Sequence, residues 1–126
     1  MKNYEQRKYD LEDRLLDYAA RIIQFIDRLP RTRAGNHVSD QLLRSGTAPL
    51  SSHGEAQGAE SRDDFIHKLS VALKELKESR RWLRLVEKTR MSRDIEALEY
   101  LLSETEELVR IFGASIRTSR SRRTSK

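Results

Sequence analysis

The strongest constraint on this chain lies in residues 61–90. Phe65, Leu69, Ala72, Leu76, Leu83 and Val86 recur there at alternating four- and three-residue steps, with Ser79 filling the one gap. That spacing puts every apolar side chain on one face of a helix and on no single face of a strand. The segment also carries its own boundaries. Ser61-Arg62-Asp63-Asp64 reads as a capping box with Asp in place of the usual Glu, and the cations Lys88 and Arg90 suit a helix C-terminus.

Three more segments follow the same logic. From Asp10 to Leu29, Leu11, Leu15, Tyr18, Ala19, Ile22, Ile26 and Leu29 form a stripe that Pro30 ends, and residues 31–35 make a turn. A last helix is predicted after Ser92 as its cap, with Asp94 and Glu96 in its first turn. Ile95, Leu98, Leu101, Leu102, Leu108, Val109, Phe112 and Ile116 form its stripe. The remaining segment, starting near Asn36, is rich in Ser, Gly and Ala. A proline inside a helix clashes with the carbonyl four residues back, so Pro49 is predicted to kink or break this helix around Ser45–Gly46, with Thr47 capping the restart. No segment alternates with period two. Four helices with short connections give an all-α fold, an antiparallel up-down four-helix bundle over residues 10–116. Residues 1–9 read as an N-terminal extension and 117–126 as a disordered basic tail. With 126 residues the chain supports one core.

The charge layout is uneven. The formal net charge is +5, and the five cations Arg117, Arg120, Arg122, Arg123 and Lys126 lie in residues 117–126, which hold no acid. Residues 68–93 carry nine bases and three acids, and residues 94–116 one base and six acids. The tail and the run Arg81, Arg84, Lys88, Arg90 and Arg93 are therefore the candidate nucleic-acid contacts, since clustered cations gain from counterion release on phosphates. The tail has no aromatic residue, so base stacking finds no support there.

Other chemistry is absent from the sequence. Without cysteine, disulfides and thiolate sites are excluded, and a cytoplasmic protein is expected. No apolar run reaches the ~20 residues of a membrane span, and the first residues contain no signal-peptide core. His37, His53 and His67 lack metal-ligand spacing, and Ser51, Ser52 and His53 read as a surface polar cluster. No enzyme, metal or cofactor is expected.

A second set of apolar residues points to a subunit interface. On a helical wheel Val71, Trp82 and Leu85 fall opposite the core direction of their helix, close to Glu78, and Tyr100 and Ile111 lie off the core face of the last helix. Trp favours the buried centre of interfaces. Arg80 falls on the core side between Leu76 and Leu83, where either Gln41 or Glu99 reaches it or it snorkels to solvent near the bundle end.

These residues resemble a known family. Gln41-Leu42-Leu43-Arg44-Ser45-Gly46-Thr47, Gly54-Glu55-Ala56 and the run from Phe65 to Leu83 are similar to the bacterial four helix bundle proteins, also called the 23S rRNA intervening-sequence protein family. The resemblance spans about residues 9–116. It implies the bundle fold and a ring-like homopentamer. A relative in this family is the accessory protein of diversity-generating retroelements, a basic pentamer that associates with a reverse transcriptase and binds nucleic acid. This chain differs in keeping its body neutral. The resemblance implies a non-enzymatic nucleic-acid-binding oligomer; the alternative is a protein-interaction scaffold. It also implies that Gln41, Arg44, Glu55, Phe65, Leu69, Ala72, Glu75, Leu76 and Glu78 are structural.

Overall fold

The computed structural model describes residues 4–124, with side chains from 11 to 122. Four helices follow one another: α1 (Tyr4–Ile26), α2 (Arg33–Gln57), α3 (Arg62–Thr89) and α4 (Ile95–Thr124). Contacts between helices fix their directions. Arg14 and Tyr18 of α1 meet Glu104 and Thr105 of α4, and Arg28 just after α1 meets Asp94 just before α4, so the two helices run antiparallel. Ser45 and Ser52 of α2 meet Ser79 and Glu75 of α3, again antiparallel. Each helix packs on the next and α4 closes on α1, which makes a four-helix bundle. Among the described residues the α1–α4 seam is the sparsest and the α2–α3 seam the closest.

Local chemistry sets the ends. Ser61 Oγ accepts from the Asp64 amide at 3.0 Å, as the capping pattern predicts. Thr32 caps α2 by accepting from Gly35 N. Gly35 must lack a side chain, because a Cβ there would collide with the Pro30 carbonyl. The cap of α4 is Asp94, whose Oδ1 accepts from the Ala97 amide, while the predicted cap Ser92 supports Asp94 through its amide. α3 ends at Arg90, in the left-handed region at φ 53°.

Further expectations change. α2 is one uninterrupted helix across Pro49. Pro49 is buried, and α1 and α3 pack on either side of α2; tertiary contact outweighs the lost hydrogen bond. Thr47 caps nothing: its hydroxyl donates back to Leu43 O at 2.6 Å. Residues 4–9 belong to α1 rather than to an extension. Residues 117–124, expected to be disordered, continue α4, because Ser119 extends the inward spacing of Phe112 and Ile116 and is nearly buried.

The core holds Leu15, Ile22, Phe25, Leu42, Leu76, Leu83, Leu101, Leu108 and Phe112, each 2% exposed or less. Phe25 lies outside the predicted stripe. A polar layer crosses the middle of this core. Tyr18 of α1 and Thr105 of α4 join their hydroxyls at 2.6 Å, and Ser79 of α3 donates to Ser45 of α2 at 2.9 Å. All four are fully buried. Thr105 also donates to Leu101 O. One hydroxyl from each helix is thus satisfied inside the bundle, which any axial slip would undo.

Candidate nucleic-acid interface

The C-terminal half of α3 presents the predicted basic run. Arg81, Arg84 and Lys88 share a face at three- and four-residue spacing, and Arg90 follows at the helix end. They surround a shallow depression with Leu85 and a single acid, Glu87. None of these four cations has a hydrogen-bond or ion-pair partner among the described residues, whereas Arg14, Arg28, Arg44 and Arg80 each hold a carboxylate. Arg93 is exposed beyond the depression. Helix C-terminal carbonyls attract this charge, but the dipole acts only within the last turn and Arg81 and Arg84 lie before it.

The tail cations lie elsewhere. Arg117, Arg120 and Arg122 are exposed on the last turns of α4. The side chain of Arg123 and all of Lys126 lie outside the described residues. Arg80 pairs with Glu106 at 2.9 Å, which sets the level of α3 against α4. From that level α4 carries its tail one way while α3 carries Arg90 the other. At 1.5 Å per residue, Arg120 and Arg90 are roughly 35 Å apart along the bundle. The two cationic regions form opposite ends of one protomer rather than one continuous footprint.

Arg80 escapes the core. Ser79 takes the inward position between Leu76 and Leu83, and Arg80 reaches Glu106 instead of Gln41 or Glu99. Gln41 accepts from Arg44, which also bonds Glu78 at 2.8 Å. Glu55 meets Lys68, and Glu75 accepts from Ser52. The motif residues Gln41, Arg44, Glu55, Glu75 and Glu78 therefore line the α2–α3 seam. Burial is the main cause that raises the Glu75 carboxyl above its usual range, partly countered by the Ser52 hydroxyl.

The second apolar set is dispersed. Trp82 is not on a wet face: it packs on the core, with its ring edge-on to His37 at 5.6 Å. Val71 and Ile111 are half-buried, and Glu78 is held by Arg44. Leu85 is exposed within the basic depression. Tyr100 faces α1, where the Arg21 guanidinium lies 4.0 Å from its ring centre and Asp17 accepts from its hydroxyl at 3.5 Å. Burial raises the Tyr100 hydroxyl pKa, reinforced by Glu104. The largest exposed aliphatic side chains on α1 and α2 are Leu16, Ile23 and Leu43, which the helical-wheel reading did not single out.

Ser52 and His53 are not a surface cluster. Both are buried, with His53 edge-on to Phe112. Among the described residues, no three His, Cys, Asp or Glu side chains gather closely enough to hold a metal ion. No described helix is long and apolar enough to cross a membrane.

No curated protein matches this chain. A solved protein of unknown function from the S23 ribosomal protein family of Bacteroides thetaiotaomicron VPI-5482 is similar. It is 35% identical, covers 83% of this chain and 96% of its own, and superposes with a TM-score of 0.75. The family model described as 23S rRNA-intervening sequence protein matches residues 7–114, nearly the whole described bundle. The chain belongs to the 23S rRNA-intervening sequence protein family.

Proposed function

We propose that this protein is a non-enzymatic homo-oligomer, a pentamer by its resemblance, that binds RNA or DNA without strong sequence preference. It would serve as an accessory to a reverse transcriptase or other nucleic-acid machinery. The observation that carries the reading is the set Arg81, Arg84, Lys88 and Arg90, four cations around one depression with no partner among the described residues. Cations left without carboxylates are available to phosphates, and phosphate contacts position a strand without reading its sequence. Arg117, Arg120 and Arg122 add a second contact region at the far end. Repetition around a ring would make individually weak contacts multivalent.

Mobility shift with structured RNA and duplex DNA at about 50 and 200 mM salt tests this. Wild type should bind at low salt and lose much of its affinity at the higher value. Arg81→Gln/Arg84→Gln/Lys88→Gln should weaken binding and flatten the salt dependence. Undiminished binding by that variant would remove the α3 group from the site.

A protein-interaction scaffold is the rival reading, and the exposed Leu16, Ile23 and Leu43 favour it. A protein partner retained after nuclease treatment would support that reading over ours.

A further inference from the structure

The sparse α1–α4 seam leaves a recess of about 170 Å³. Phe25 and Leu101, both almost fully buried, form its floor. Tyr100 stands at one side, 38% exposed, with the Arg21 guanidinium against its ring. Arg28 and Asp94, joined at 2.7 Å, and the Gln24 amide complete the rim.

Size and charge narrow the ligand. Sites that enclose a drug-sized molecule run to about 300–1,000 Å³, so this one admits a single planar ring system and leaves the rest of the ligand outside. Both guanidiniums are already paired, Arg21 with Asp17 and Arg28 with Asp94, so the recess is close to neutral and ill suited to a free phosphate. What it offers is a guanidinium held over an aromatic ring beside a donor and an acceptor. Unpaired bases are recognised in that way, by stacking on aromatic rings or guanidinium planes while their edges form hydrogen bonds.

We propose that this recess takes one unpaired base of a single-stranded nucleic acid, stacked on the Tyr100–Arg21 pair with its edge toward Gln24, Arg28 and Asp94. The inference rests on the nucleic-acid reading above and adds to it a preference for single strands. Bases within a duplex are paired and stacked, and cannot enter. The sugar and phosphate stay outside, where the strand is free to run on to cationic surfaces.

The test is fluorescence anisotropy with a labelled single-stranded RNA and with the same strand annealed to its complement. The proteins are wild type, Tyr100→Leu and Gln24→Ala. Asp94 is left unaltered because it caps α4. Wild type should bind the single strand more tightly than the duplex. Base–aromatic stacking contributes ~1–3 kcal/mol, so Tyr100→Leu should weaken single-strand binding about 5- to 150-fold and leave duplex binding unchanged. Gln24→Ala, at an exposed position, should weaken the single strand in the same selective way if Tyr100→Leu disturbs folding. Equal effects on both ligands, or none on either, would overturn the recess while leaving the cationic reading intact. A wild type that binds neither ligand would remove that reading, and this inference with it.

Discussion

Gly46 offers a sharp test of how α1 and α2 are packed. A Cβ built there would lie 2.8 Å from both Cγ1 and Cγ2 of Ile22, which is fully buried. Those atoms branch directly from the Ile22 Cβ, and a β-branched residue in a helix has one strongly preferred rotamer, so they cannot swing aside. Gly46→Ala therefore sets two opposed effects against each other. Helix propensity favours Ala by about 1 kcal/mol. Overpacking costs about 1–3 kcal/mol. The expected net effect is a loss of about 1 kcal/mol, or a few degrees in Tm. Urea unfolding followed by circular dichroism, in a double-mutant cycle with Ile22→Ala, resolves the sign. Ile22→Ala alone should cost about 2–5 kcal/mol. In that background the clash is gone, and Gly46→Ala should stabilise by about 1 kcal/mol. A wild-type background in which Gly46→Ala raises stability, or a cost equal in both backgrounds, would refute the close approach.

Further outcomes follow from single side chains. Burial pushes the Tyr18 hydroxyl up to about 12, so the folded protein keeps this proton where the unfolded chain loses it. Its contribution is present below pH 10 and falls away between pH 10 and about 12; relative to Tyr18→Phe, wild type should lose roughly 2–3 kcal/mol across that window in urea melts. At neutral pH Tyr18→Phe should cost about 1 kcal/mol through its lost bond to Thr105. Glu75 is also shifted upward by burial, so its ionised form opposes folding at neutral pH. Glu75→Gln should raise stability slightly at pH 7 in urea melts, and the gain should vanish as pH falls below the ordinary carboxylate range. Arg90→Gly relieves a left-handed conformation and should stabilise the fold by up to about 1 kcal/mol in thermal melts, while weakening nucleic-acid binding if the α3 group is the contact.

Much of the fold was legible because apolar spacing is local. The heptad steps of α3 predict its burial from Leu69 to Val86 correctly, and even the gap at Ser79 has meaning. That gap announced a polar position without naming its partners, because Ser45, Tyr18 and Thr105 reach the layer only through the register of three other helices. Pro49 misled for the opposite reason: intrinsic propensity is local, but α2 is held by its neighbours. The lack of apolar residues after Ile116 predicts a disordered tail, but Ser119 shows that a small polar side chain can continue an inward face. Of the candidate sites, the α3 cations could be read from spacing alone. The recess could not. Arg21 and Gln24 lie on α1 and Arg28 in the turn just after it, but nothing in their spacing tells that Tyr100 and Asp94 stand across from them.

The uninterrupted passage of α2 through Pro49 also orders events during synthesis. Ser45 O can receive no amide from residue 49, and the Gly, Ser and Thr around it leave α2 little reason to be helical alone. Its closest partner is α3, which leaves the ribosome later. A nascent chain that ends before Ser79 therefore has α1 and an α2 segment without half its support. Cooperative structure should arrive late, when most of α3 has emerged, and arrest at successive lengths would see protease resistance appear in one step rather than helix by helix.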